Sequence, residues 1–122
     1  MTPFAAAIAN RHVEVACYLL ATGQTNLNTQ DKNCHTPVYY TIRSQNKEAV
    51  SLLLFNKEVN INVQDHLDCT PFWYTVNYCN LLAAQLLLAR GVNPNMPDMD
   101  QIAPLNVAIL KEDGPILKLL LD

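Results

Sequence analysis

The spacing of the proline residues constrains the fold of this chain more than any other feature. Pro3, Pro37, Pro71 and Pro104 are separated by 34, 34 and 33 residues, and each of the first three follows a threonine. In the same phase, an asparagine is followed three residues later by an aspartate, at Asn28 and Asp31, Asn62 and Asp65, and Asn95 and Asp98. Marks that recur in one phase indicate a chain built from repeated structural units.

The segment 36–69 shows what one unit contains. Thr36 is suited to cap a helix and Pro37 to occupy its first position, where the missing N–H of proline costs nothing. Polar residues then interrupt the pattern, and Asn46 is suited to cap a second helix with apolar residues at helical spacing. An extended segment with a polar tip around Asp65 follows. Because one such unit cannot bury its own apolar face, we expect successive units to stack.

This pattern resembles the ankyrin repeat, which opens with Thr-Pro-Leu-His-x-Ala-Ala, has a leucine-rich second helix and ends in Gly-Ala-Asp-Val-Asn. Here the unit that starts at Thr70 reads Thr-Pro-Phe, then Leu86-Leu87-Leu88, then Gly91-Val-Asn-Pro-Asn. The resemblance implies an all-α solenoid of stacked helix-turn-helix units with hairpin-like loops. We expect one stack over residues 1–122, with units at about 2–35, 36–69, 70–102 and 103–122, the first and last incomplete.

The chain departs from the family pattern at two recurring positions. The histidine that follows Thr-Pro-Leu is replaced by Ala5, Tyr39, Trp73 and Asn106. The glycine between the two helices is replaced by Arg11, Gln45, Cys79 and Glu112. A residue other than glycine at a positive φ costs about 1 kcal/mol. We therefore expect this stack to be less stable than a consensus array.

Both ends of the chain bear on how it is used. It opens at a first helix and stops after a second helix, and neither end shows the polar capping repeat that solenoids normally need for solubility. We interpret the chain as a segment of a longer array. The alternative is that the natural protein ends here and covers its open faces by end-to-end self-association.

Composition limits the partners and the compartment. A formal net charge of −3 creates no field that attracts nucleic acid, and no apolar run approaches the roughly 18 residues of a membrane-spanning helix. We expect no nucleic-acid partner and no direct membrane insertion. The 4 cysteines would permit a disulfide framework, but the N-terminus lacks the basic and long apolar regions of a signal peptide. We expect reduced cysteines and a cytoplasmic, intracellular location.

Catalysis finds little support in the residue pattern. His12, His35 and His66 show no spacing to a serine or cysteine and a supporting acid that would form a nucleophilic site. We interpret His35 and His66 as solvated histidines at loop tips. We expect no enzyme activity, no catalytic residues and no cofactor.

The sequence offers a more specific candidate for a metal site than for a catalytic site. Cys34-His35 and His66-x-x-Cys69 occupy nearly equivalent tips of adjacent units. Two thiolates and two imidazoles would suit tetrahedral zinc. However, helices of neighbouring units pack about 8–10 Å apart, whereas zinc ligands must lie within about 2.3 Å of the ion. We therefore expect no metal site.

An aromatic group stands out in the two middle units. Tyr40, Phe72 and Tyr74 are in register with core-facing positions, so we expect them to pack between the helix layers. Tyr39 and Trp73 replace the family histidine and are expected to fill its space near the loop. By register, Tyr78 falls on the exposed face of its short helix. Aromatic side chains can also stack on nucleic-acid bases, but we interpret this set as packing between the helix layers.

The resemblance also implies where a partner binds, because ankyrin partners usually contact the hairpin tips and the exposed face of the first helix. Those positions are Lys32, Asn33, His35, His66, Leu67, Cys69, Met99, Asp100 and Ile102 at the tips, and Arg43, Ser44, Asn77, Tyr78, Leu110 and Lys111 on the first helices. This set mixes the three basic residues Lys32, Arg43 and Lys111 with Leu67, Tyr78, Met99 and Ile102, which we expect to be exposed. Exposed apolar side chains on one face favour a protein or peptide partner.

The leading hypothesis is a non-catalytic interaction module that presents a concave groove to a protein or peptide within a scaffold or adaptor protein. The alternative is a structural spacer in a larger enzyme, ligase or channel whose activity lies in flanking domains. A third reading, also implied by the resemblance, is that Asn28, Asn62 and Asn95 are hydroxylated. The sequence leaves this open.

Overall fold

The computed structural model describes residues 6–7, 10, 12–22 and 27–121. Within these residues all regular structure is helical and no strand forms, so the all-α prediction is confirmed. The helices are α1 (Val13–Thr22), α2 (Pro37–Ser44), α3 (Lys47–Leu54), α4 (Pro71–Asn77), α5 (Leu81–Ala89), α6 (Pro104–Lys111) and α7 (Gly114–Leu121). No described helix is long or apolar enough to cross a membrane.

The helices form two layers. In the first layer α4 packs against both α2 and α6, and in the second layer α1, α3, α5 and α7 pack in that order. Each helix of the first layer also contacts the second-layer helix that follows it in the chain. This is the stacked helix-turn-helix arrangement that the repeat predicted.

The core lies between the two layers and runs continuously along the stack. Val38 and Ile42 of α2 and Phe72 and Val76 of α4 are fully buried. The second layer contributes a matching set, Val50, Leu53, Leu54, Ala83, Ala84, Leu87 and Ile116. Full burial of one such large side chain stabilises the fold by about 1.5–3 kcal/mol. Each unit therefore depends on its neighbours for stability.

The helix starts follow the predicted capping residues with one exception. The Asn46 side chain accepts a hydrogen bond from Ala49 N at 3.0 Å, as predicted. Thr70 Oγ1 accepts one from Trp73 N at 3.2 Å. Thr36 is the N-cap residue before Pro37, as predicted, but its side chain makes no capping hydrogen bond. The Tyr39 N–H donates instead to the Thr36 backbone carbonyl at 3.0 Å.

The turns between paired helices adopt the conformation that the family reserves for glycine. Gln45, Cys79 and Glu112 have φ values of 58°, 56° and 54°. The expected strain at these positions is thus present. Part of it is offset at Gln45, whose side-chain amide donates to the Tyr78 carbonyl oxygen at 2.7 Å. Ala5 and Arg11, the corresponding departures in the first unit, lie outside the described residues.

Candidate functional site at the hairpin tips and concave groove

An aspartate carboxylate holds each hairpin-like turn. Asp65 Oδ1 accepts hydrogen bonds from the backbone N–H groups of Leu67 at 2.9 Å and Cys69 at 3.0 Å. Asp31 and Asp98 bind the equivalent pairs of N–H groups in their own turns. A residue with positive φ follows each aspartate by three positions: Cys34, Asp68 and Gln101, at 62°, 61° and 63°. The recurring aspartate therefore serves to build the turns.

Successive turns are joined to each other by backbone hydrogen bonds. His66 N donates to Asn33 O at 3.2 Å, and Met99 N donates to Leu67 O at 2.9 Å. We call this row of three linked turns, residues 31–35, 65–69 and 98–102, the tip ridge. Each tip is thus fixed relative to the next by a bond outside the helix core.

A buried polar cluster lies beneath the tip ridge. His35 Nε2 is 3.0 Å from Asp65 Oδ2, and the Tyr74 hydroxyl donates a short hydrogen bond to the same oxygen. Burial alone raises the pKa of Asp65, but the hydrogen bonds from Tyr74 and the backbone outweigh it and lower the pKa below its usual value. The His35 side chain is only 11% exposed. Its interpretation as a solvated loop histidine was wrong, because the next turn covers it.

The same pair of side chains recurs one unit earlier. The Tyr40 hydroxyl donates a short hydrogen bond to Asp31 Oδ2. Burial, together with this contact to a carboxylate, raises the pKa of Tyr40 to about 12. In the third turn Val107 stands nine residues after Asp98, where the other units have tyrosine. A tyrosine therefore anchors the first two of these turns and not the third.

The aromatic residues pack against one another across units. Tyr39 stacks on His35 with ring centroids 3.7 Å apart, and its hydroxyl lies 3.2 Å from that of Tyr78. Trp73 Nε1 donates to Ile102 O at 3.1 Å, so both replacements of the family histidine lie beside the loop as predicted. Tyr78 is half-buried and also stacks on Tyr74. Its predicted exposure was wrong, because its ring folds back onto these neighbours.

The other aromatic predictions are confirmed in part. Phe72 is fully buried and Tyr74 is buried at 8% exposure. Tyr40, predicted to be in the core, is half-buried because its hydroxyl turns toward the Asp31 carboxylate.

The structure divides the predicted partner-binding residues into three groups. Those that are exposed are Lys32, Asn33, Arg43, His66, Leu67, Met99, Asp100, Leu110 and Lys111. Those that are half-buried are His35, Ser44, Asn77, Tyr78 and Ile102. Cys69 is buried at 3% exposure and cannot contact a partner, so its inclusion was wrong. The exposure predicted for Ile102 was also wrong, because that side chain packs against the core.

We did not expect the Cys-His set at the two tips to bind a metal, and Cys69 is not placed for it. Cys69 lies inside the turn with its Sγ directed at Leu67 O, 3.9 Å away, and burial raises the pKa of its thiol to about 12. Instead, one ligand atom from each of His35, Asp65 and His66 lies within 4.8 Å of the other two. The sequence patterns did not point to Asp65 or Tyr74 as site residues. The available signal was a tyrosine nine residues after an aspartate, repeated at Asp31 and Tyr40.

Stacked helix pairs joined by a ridge of linked turns define a helical-repeat solenoid. A family model described as ankyrin repeats (3 copies) matches residues 1–65, more than half of the 122 residues. The chain therefore belongs to the ankyrin-repeat family. The same stacking continues past the match through α4 to α7. No curated protein matches the chain. Ankyrin repeats are generally protein–protein interaction modules and are typically non-catalytic.

Proposed function

We propose that this chain is a non-catalytic interaction module of a scaffold or adaptor protein, and that its concave groove and tip ridge bind a protein or peptide. The observation that carries this proposal is the exposure of large apolar side chains on that surface. Leu110 is 78% exposed, Met99 54% and Leu67 42%. Apolar side chains grouped on one face favour a protein partner over a small polar ligand.

Three exposed cations on the same surface, which also carries the exposed Asp68 and Asp100, would suit a partner with carboxylate groups. Arg43 and Lys111 end first-layer helices and are exposed, and Lys32 is exposed on the tip ridge. A cation and an exposed leucine are adjacent at the end of α6, where Leu110 precedes Lys111. A segment with alternating acidic and apolar side chains would satisfy both features.

Contacts within the chain preorganise the proposed groove in the absence of a partner. The Tyr39–Tyr78 contact joins α2 to the end of α4, and Gln45 bonds the Tyr78 carbonyl from the same side. Since preorganised surfaces pay less ordering entropy on binding, this favours recognition by rigid presentation.

The location and extent of the module are part of the proposal. Cys34, Cys69 and Cys79 are free thiols, which suits a reducing compartment such as the cytoplasm. We treat residues 1–122 as one stack, with unit boundaries near 36, 70 and 103. The side-chain contacts that cross these boundaries support that treatment.

The test is peptide selection from a random display library, followed by affinity measurement with variant chains. Replacing Arg43 by Glu together with Leu110 by Ser should reduce binding by at least about tenfold, since both side chains are exposed and structural disturbance is small. Leu52→Ser is the matched control, because Leu52 is 43% exposed on the second-layer helix α3. Equal loss in the control, or none in the groove variant, would place the binding surface elsewhere.

A further inference from the structure

We propose that His35, Asp65 and His66 form a binding site for a divalent transition-metal ion of the zinc type on the tip ridge. One ligand atom of each residue lies within 4.8 Å of the other two. The three residues come from two successive turns, so an ion would join adjacent units. The proposal needs no protein partner and is independent of the proposed function.

The spacing of the ligand atoms is close to that of a metal site. His35 Nε2 and Asp65 Oδ2 are 3.0 Å apart. Bonds of about 2.0–2.1 Å in tetrahedral zinc place neighbouring ligand atoms about 3.3 Å apart. The His35–Asp65 pair is within about 0.3 Å of this spacing, and the His66 ligand atom, within 4.8 Å of both, must move inward by at most about 1.5 Å. His66 is exposed, so its side chain has room for that movement.

Surrounding hydrogen bonds orient the three residues as they do in protein metal centres. His66 Nδ1 lies 3.0 Å from Asn33 O, and donation to that carbonyl leaves Nε2 with the lone pair that a metal requires. A ligating histidine commonly donates its other ring N–H to a backbone carbonyl in this way. Two backbone N–H groups fix Asp65 Oδ1, and stacking on Tyr39 fixes the His35 ring.

Two imidazoles and one carboxylate form a ligand set that zinc and its neighbours in the first transition row accept. On binding, the hydrogen bond between His35 Nε2 and Asp65 Oδ2 is broken, the ring proton moves from Nε2 to Nδ1, and both Nε2 and Oδ2 offer lone pairs to the ion. Tyr74 keeps its hydrogen bond to Asp65. Three protein ligands leave a fourth position for water. The proposed site contains no cysteine, unlike the set that the sequence suggested.

The experiment is titration of the 122-residue chain with Co²⁺ and then Zn²⁺. We expect one Co²⁺ per chain, seen as visible d–d absorption without the near-ultraviolet band of a thiolate ligand, and displacement of Co²⁺ by Zn²⁺. His66→Ala should weaken binding by at least about tenfold, since even loss of an outer-shell partner costs 10–100-fold. His66 is exposed, so this variant keeps the fold, and its circular dichroism verifies that.

His12→Ala is the matched control, because His12 is exposed just before α1 and outside the cluster. It should bind Co²⁺ as tightly as the unmodified chain. A thiolate band, unchanged affinity in His66→Ala, or no absorption at millimolar Co²⁺ would each overturn the proposal.

Discussion

The Tyr39 hydroxyl at the start of α2 lies 3.2 Å from the Tyr78 hydroxyl at the end of α4. The two phenols belong to successive units, so their contact joins α2 to the residue that follows α4. Both residues pack against the core, yet neither is fully buried. The contact can therefore be removed without opening a cavity in the core.

Tyr78→Phe and Tyr39→Phe should each lower the free energy of unfolding by about 0.5–1.5 kcal/mol, the usual worth of one hydrogen bond. The double variant should lose little more than either single variant, because both changes remove the same bond. Urea denaturation of the unmodified chain, the two single variants and the double variant gives the interaction free energy between the two hydroxyls. Tyr18→Phe serves as control, since Tyr18 is 66% exposed and its change should cost nothing measurable. Fully additive losses would show that the hydroxyls act separately.

Glu112→Gly should stabilise the chain by about 0.5–1 kcal/mol, because Glu112 is held at a φ of 54° that glycine adopts without strain. Gln45→Gly should gain less, since it also loses the hydrogen bond to the Tyr78 carbonyl. Thermal and urea unfolding measure the change in stability of both variants. Gln85→Gly, at an exposed position in α5, should instead destabilise by about 1 kcal/mol. A loss of stability in Glu112→Gly would contradict the strain argument.

Stability should fall when the pH drops below about 4. Partial burial raises the pKa of Asp31, but hydrogen bonds from Tyr40 and from the His35 and Asn33 backbone outweigh it and lower the pKa. Because the folded pKa is the lower one, the carboxylate contributes fully above the unfolded pKa. Its contribution is lost as the pH falls through the folded pKa.

Asp31→Asn isolates this effect, because the amide nitrogen cannot accept the Tyr40 hydrogen bond. The variant should be less stable by about 1–2 kcal/mol at neutral pH, the order of one hydrogen bond to a charged group after screening. Denaturant unfolding between about pH 7 and pH 2 should show the gap to the unmodified chain narrowing with acidity. A gap that stays constant with pH would mean that ionisation of Asp31 contributes nothing.

Cys69 should resist alkylation in the folded chain, whereas Cys79 should react. Burial raises the pKa of Cys69 to about 12, so almost no reactive thiolate forms and reagents cannot reach it. Cys79 is exposed, although partial burial and a hydrogen bond with Asp113 also raise its pKa. Mass spectrometry of peptides after brief iodoacetamide treatment measures the extent of alkylation at Cys69 and at Cys79. Unfolding in urea should remove the difference, and equal labelling in the folded chain would contradict the burial of Cys69.

The sequence predicted the helices and their stacking, because Pro37, Pro71 and Pro104 mark helix starts by local backbone chemistry. It did not predict the surroundings of His35. Helix spacing suggested that neighbouring tips stay apart, whereas the bond from His66 N to Asn33 O draws the next turn over the ring. Such a contact depends on the relative orientation of two successive turns, which the spacing of residues in the sequence does not predict.

The error at Tyr78 has a related cause. Its register on the short helix predicted an exposed ring, but Tyr39 occupies the place of the family histidine and offers a ring and a hydroxyl to pack against. Tyr39, a departure from the family pattern in one unit, thus packs against a tyrosine of the next unit. A single sequence shows both residues without showing that they meet.

The presence of Val107 where two other units have an anchoring tyrosine makes the two ends of the tip ridge unequal. The carboxylates of Asp31 and Asp65 each accept a hydrogen bond from a tyrosine hydroxyl. The turn at Asp98 has no tyrosine at that position and keeps the bonds of its carboxylate to backbone N–H groups and the bond from Trp73 Nε1 to Ile102 O. Backbone amides of the Asp98 turn should exchange with deuterium sooner than those of the Asp65 turn. We expect the Asp98 end of the tip ridge to yield more readily than the Asp31 end, so the two orientations of a ligand along the ridge should differ in energy.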